Sequence, residues 1–502
     1  MKWFGEKRGW VILLVMGLAL ALRLYMMVAG TQRIPVSSDE AITILQAKEI
    51  IGGDPSLFVW AQPYQFPMET YMVAPIVNLL PRNAFGARFH SFVIGFLSMA
   101  VVLGIFWRIA PLERSWIGIV LALFPSAYML MIQFGYPVPH YTPIFLFWGI
   151  AILLIAYRPD TIELKALALT MVAGLMCGLA FTNNLVSVAL VVPLAVVACW
   201  GRGVRDTAIK IPVFSVGAFV GLLPYLLGPY RCAGGIGSVE ATCGWRMAMS
   251  RIWKPALSQT IPRALGADPG LYPDSRHTLL QPDWVMMVVT VFFIVVLLVA
   301  TGCCLWRVVK VIASKKWPRL WVGEVVVGAC WISLVMFLLS SRASARSYRY
   351  VAPIIWCFPF VVYYAGDCLP RRLKGLFSVL VIVMVCFNVV TSACLISRWN
   401  EHDYAARVVG APDLKPTLDF LEEKGIEHCV ASHWAAYRIG FLSDEKIICS
   451  QPYNERFVGW PIPYKSEVDA ATNVAFVLTR RIRFMKPSRF ERHLRTMEVT
   501  AK

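Results

Sequence analysis

The chain has 502 residues, of which 58% are hydrophobic and only 16% charged, a balance that excludes an ordinary soluble globule. Its formal net charge is +18. In a membrane protein such an excess of Lys and Arg belongs first to cytoplasmic loops, so no nucleic-acid partner is expected.

Apolar runs of roughly 18 or more residues are candidates to cross a bilayer. The first, 10–29, follows Lys2, Lys7 and Arg8. It outlasts the short core of a signal peptide, so it reads as a retained span although Ala19-Leu20-Ala21 resembles a cleavage box. The same rule predicts about eleven spans in all. They are 10–29, 86–107, 116–132, 141–157, 166–182, 184–200, 211–228, 284–306, 321–340, 350–368 and 376–396. Segment 68–80 is short and Pro-interrupted, which predicts a re-entrant or interfacial helix. An N-terminus inside puts Arg108, Arg158, Lys210, the basic run 307–319 and Arg371, Arg372 and Lys374 on the cytoplasmic side, as the positive-inside bias requires.

The predicted class is therefore a polytopic α-helical membrane protein with a small extracytoplasmic α/β domain. A transmembrane domain would fill 1–396, with outer loops 30–85 and 229–283. The more polar tail, 397–502, would form the outer domain, with strand-like stretches at 428–432 and 474–479. Cys232 and Cys243 in one outer piece, and Cys429 and Cys449 in the other, predict two disulfides on an oxidising side.

Directly after the first span stands "IPVSSDEAITI", residues 34–44. Ser37 with Glu40 fits a capping box. Apolar Ala41, Ile42, Ile44 and Leu45 against Thr43, Gln46, Lys48 and Glu49 predict a short amphipathic helix. Capping explains Glu40. The helix dipole favours Asp39, yet no obligatory partner is evident for it. In "FVWAQPYQFPMET", 58–70, the side chains of Trp60, Gln62, Tyr64 and Glu69 read either as interfacial anchors or as a rigid wall that recognises hydroxyls.

His140, in "QFGYPVPHY", stands beside two prolines. No HExxH, CxxC or DxD motif accompanies it, so no metal site is spelled out, although Asp39, Glu69 and His140 could assemble one. "SSRASARSYRY", 340–350, puts Arg342, Arg346 and Arg349 on an outer loop, where few basic residues belong. They either snorkel or clamp an anionic headgroup through guanidinium forks. Arg246, Arg251, Lys254 and Arg263 add positive charge on the long outer loop. Arg23, inside the first span, is a costly charge and so a further candidate; Arg88, opening the second, can snorkel.

Together these residues resemble the GT-C membrane glycosyltransferases, in particular the protein O-mannosyltransferase and aminoarabinose-transferase branch. The resemblance rests on Asp39-Glu40 after the first span, Gln62-Pro63-Tyr64 to Glu69, Arg88, Tyr348-Arg349-Tyr350 to Pro353, and "SHWAAYRIGFLSDEKI" at 432–447. It implies a polyprenyl-phosphate sugar donor and a location in the bacterial inner membrane with the site on the periplasmic side. An acidic residue of the first outer loop would be the catalytic base. Carried over, Asp39 takes the acceptor's proton with inversion, and Glu40 shares that role or only caps the helix. Arg346 and Arg349, supported by Arg342 and Lys254, meet the leaving phosphate. Gln62, Tyr64, Glu69, Arg88, His140 and Tyr350 are expected to line the substrate site. No cofactor is expected, with a divalent metal left open. The acceptor is a protein, a lipid or a glycan. The rival readings are a lipid-linked glycan transporter or flippase, and a non-catalytic lipid-binding assembly protein.

Overall fold

Among the described residues, eight helices are long and apolar enough to cross a membrane: Trp10–Arg33, Ala84–Ile109, Leu164–Asn183, Val204–Leu227, Asp283–Lys310, Val322–Leu339, Tyr348–Cys368 and Arg371–Trp399. The computed structural model describes residues 6–60, 62, 65–139, 141–159, 162–201, 203–227, 245–273, 275–313, 322–340, 343–344, 346–409, 411, 413–454, 459–478, 488 and 491. Two shorter apolar helices, Thr142–Tyr157 and Leu185–Cys199, lie where spans 141–157 and 184–200 are predicted. The expected span 116–132 is interrupted. Leu112–Leu123 and Ala127–Gly135 meet at 61°, with Pro125 in the break and Ser126 capping the second piece through its hydroxyl. The chain is an integral membrane protein.

The break explains Arg23. A helix that ends inside a bundle leaves carbonyls without amide partners. Arg23, 2% exposed, donates Nη1 to the Leu123 carbonyl at 2.6 Å and Nη2 to that of Ala122 at 3.2 Å. Its charge thus sits at the negative end of the helix dipole, and its guanidinium lies 5.7 Å from the Phe134 ring centroid. The predicted candidate has a structural use. Close packing shapes the same region: a Cβ added at Gly135 would fall 2.3 Å from the Trp399 ring. Outside the spans, Arg251 donates to the Ser340 carbonyl at 2.6 Å and Thr260 to that of Ser344 at 3.0 Å, so the stretches around these residues are stitched together.

A second compact unit contains Pro35–His90 and the chain from Gly410 onward. Its sheet has three parallel strands, β1 (His428–Ala431), β2 (Ile448–Ser450) and β3 (Val474–Val477), in the order β2-β1-β3. Parallel neighbours need crossovers, and the helices His433–Leu442 and Lys465–Ala470 lie in the two connections. The loop helix predicted after the first span runs Ser38–Ile51. It shares one apolar cluster with the first crossover helix, in which Ala41, Ile44 and Leu45 are buried along with Tyr437 and Phe441. Segment 68–80 is a short α-helix, Met68–Val73, continued by a 3-10 turn over Ala74–Leu79. Cys429 and Cys449 are register partners on β1 and β2 and form a disulfide. Cys232 and Cys243 lie outside the described residues.

Candidate functional site

The start of the loop helix is built as the capping box predicts. Ser37 Oγ accepts from the Glu40 amide at 3.2 Å, and Glu40 Oε2 accepts from the Ser37 amide at 2.7 Å. Glu40 also takes Arg88: Nε donates to Oε1 at 2.5 Å and Nη2 to Oε2 at 3.3 Å, while Nη2 also reaches the Pro35 carbonyl at 3.1 Å. The Glu40 and Arg88 side chains are 2% and 0% exposed. A buried ion pair is tolerated when hydrogen bonds satisfy its remaining atoms, and here they bind the entry to the helix. Arg88, read from sequence as a snorkeller or substrate ligand, is committed to Glu40.

Asp39 points differently. Its side chain is 30% exposed. Oδ1 accepts from Gln62 Nε2 at 3.2 Å and faces His433 Nε2 at 3.4 Å. Gln62 is 3% exposed and His433 1%, so a partly exposed carboxylate is held from one side by two buried groups. His433 is gripped in turn. Its carbonyl accepts from Ser38 Oγ at 2.5 Å, and its Nδ1 lies 3.4 Å from Gln451 Nε2, which donates to the Tyr437 hydroxyl at 2.7 Å. A carboxylate with one face on solvent and its orientation fixed has the form of a general base.

Glu69 is buried, with Oε1 3.7 Å from His90 Nε2. Tyr64, His140 and Arg342 lie outside the described residues. In the membrane unit, Lys254 is exposed within the kinked stretch Ile252–Thr260. Arg346 is exposed as well, and Arg349 is half-buried with its guanidinium 5.4 Å from the ring centroid of Tyr350.

A second charged cluster stands on the polar unit. Asp444 meets Lys48 at 2.9 Å and Arg82 at 2.8 Å, and Lys48 also pairs with Glu445. The hydrogen bond from Lys48, then that from Arg82, holds the Asp444 carboxyl below its ordinary range. Burial, reinforced by Glu445, Asp54 and Glu467, pushes Glu49 up. Burial next to Glu445 and Glu49 likewise raises the Tyr464 hydroxyl, which donates to Glu445 at 3.2 Å.

His433, Gln451 and Tyr437 are absent from the sequence-derived site. The sequence carried half of the signal, the strand-like stretch at 428–432; the strand order supplies the rest. In a parallel sheet, functional groups gather at the carboxyl ends of strands, above all where the strand order reverses. His433 stands two residues beyond the end of β1, the central strand, and Gln451 follows β2 immediately.

No family model matches the sequence, and no curated protein matches it. Solved structures do. ArnT from Cupriavidus metallidurans bound to undecaprenyl phosphate is similar with a TM-score of 0.51 and 15% identity, over 88% of this chain and 86% of that one. Its apo form gives 0.50 and 14%, over 88% and 85%. The oligosaccharyltransferase of Archaeoglobus fulgidus gives 0.45 and 10%, over 89% and 65%. The layout of spans, broken helix and polar unit with a parallel sheet is found together with a likeness that covers most of both chains, and the protein is therefore a polytopic membrane protein of GT-C fold.

Proposed function

We propose that the protein is a glycosyltransferase that moves a sugar from a polyprenyl-phosphate donor to an acceptor hydroxyl at the periplasmic face of a bacterial inner membrane. The observation that carries this reading is Asp39, a partly exposed carboxylate oriented by Gln62 and His433. The undecaprenyl phosphate in the similar ArnT structure supports the donor class.

In this reading Asp39 takes the proton of the acceptor hydroxyl as its oxygen bonds to the anomeric carbon. The bond from that carbon to the phosphate oxygen breaks on the opposite face. Polyprenyl phosphate leaves with the electron pair, and the configuration inverts. Charge growing on the leaving phosphate calls for fixed cations rather than an acid. Arg346 and Arg349, with Arg342 and Lys254, are assigned that task because guanidinium forks match phosphate oxygens, with Tyr350 beside Arg349 as a neighbouring wall. Glu40 and Arg88 build the helix start that presents Asp39. A transporter would use the carbonyl ends of a broken helix for its cargo ion, whereas here the Ala122 and Leu123 carbonyls accept from Arg23.

The test incubates purified protein with labelled polyprenyl-phosphate sugars and measures released polyprenyl phosphate. Asp39→Asn is expected to abolish release while the protein stays folded and still binds the lipid. Release at the wild-type rate by that variant removes Asp39 as the base.

A further inference from the structure

We infer that His433, supplied by the C-terminal part of the chain, is a positioning residue that fixes the carboxylate of Asp39 for proton abstraction. This rests on the reading of Asp39 as the base. Three observations converge. First, His433 is bound to the start of the loop helix twice, by its backbone and by its ring. Its carbonyl accepts from Ser38 Oγ at 2.5 Å, and its Nε2 faces Asp39 Oδ1 at 3.4 Å. Shifting the histidine therefore shifts the side chains of two adjacent residues, Ser38 and Asp39, together.

Second, the surroundings select the tautomer. Gln451 directs its amide nitrogen both to the Tyr437 hydroxyl, at 2.7 Å, and to His433 Nδ1, at 3.4 Å. An amide NH2 has two hydrogens and no lone pair to offer, so with the Gln451 amide in this orientation Nδ1 is the acceptor. The ring proton of the neutral imidazole is then on Nε2, the atom that faces the carboxylate. A histidine with that proton on the other nitrogen would present a lone pair to Asp39 and repel it. Tyr437 is 1% exposed, as is Gln451, so the selecting groups are themselves immobilised by packing.

Third, the location is the one that the sheet favours. His433 follows the carboxyl end of the central strand of a β2-β1-β3 order, the end of a parallel sheet at which functional groups gather. Gln62 donates to the same oxygen of Asp39 at 3.2 Å. Together the two donors fix the direction of the carboxylate, one from the first loop and one from the tail.

The experiment measures transfer with the full-length protein, varying donor concentration, for His433→Phe and His433→Gln. Phe keeps a ring of similar size but has no donor; Gln carries an amide N–H at about the reach of Nε2. Misplacing a base costs up to about 100-fold, and Gln62 remains, so His433→Phe is expected to lower kcat roughly 10- to 100-fold. KM for the donor should be unchanged and His433→Gln should restore most of the rate. The double variant Asp39→Asn/His433→Phe should be no slower than Asp39→Asn, because the histidine acts through the carboxylate. Equal rates for the Phe and Gln variants, or a loss in both that tracks thermal unfolding, overturns the inference. An inactive Asp39→Asn beside a fully active His433→Phe defeats this inference alone, whereas a fully active Asp39→Asn defeats the reading beneath it.

Discussion

Replacing Glu40 with Gln keeps the shape of the side chain and removes one charge. The consequence depends on Arg88. Gln can still accept from the Ser37 amide or from Arg88 Nε, but its NH2 then faces one of those donors. Loss of the cap alone costs about 0.5–2 kcal/mol. The greater cost comes from the guanidinium, which is 0% exposed and would be left buried without its counter-charge. Removing one partner of such a pair costs about 3–5 kcal/mol, and this much burial leaves little solvent screening to reduce it. Native-state hydrogen exchange reads the effect locally. Amides of Ala41 to Ala47 should lose roughly two to three and a half decades of protection in Glu40→Gln. Arg88→Met should lose a similar amount, because it strands the carboxylate instead. The double variant removes both of these buried charges and should lose less than the sum of the two. Losses below about fivefold in both singles, with additive behaviour in the double, would refute the coupling.

Arg346→Lys and Arg349→Lys keep the charge but not the fork; a raised KM for the donor, with slower turnover, is expected in transfer kinetics, whereas snorkelling residues would tolerate Lys. Cys429→Ser should destabilise the polar unit by about 2–4 kcal/mol, read as lost exchange protection on β1, with the same loss when wild type is reduced. Asp444 titrates lower in the folded protein than in the unfolded chain, so its contribution is complete above the ordinary aspartate range, about 3.9, and is lost as pH falls through the lower folded value. Protection of the Lys48 and Asp444 segments should therefore persist near pH 4 and then fall, and Asp444→Asn should remove that acid limb.

Local features were legible in the sequence. The capping box spans four residues, and Ser37 and Glu40 pair as it requires. The apolar runs give helices because hydropathy is a property of contiguous segments. Cys429 and Cys449 pair as their shared outer location suggested. The break at Pro125 was hidden because averaged hydropathy hardly registers one residue. The role of Arg23 is not legible, because its partners are backbone carbonyls, which every sequence contains. Glu40 and Arg88 lie 48 residues apart, and nothing local in either marks the other. His433 was the furthest from view: its link to Asp39 depends on a strand order that the residues alone do not display.

The arrangement around Asp39 also sets a time. Ser38 and His433 are separated by 395 positions, so the ribosome has made and the membrane has received every span before the histidine emerges. At about 5–20 residues per second, the nascent chain spends roughly 20–80 s carrying its carboxylate without the imidazole that aims it. On the proposed reading, a nascent chain would work no faster than His433→Phe until the last part of its translation is done.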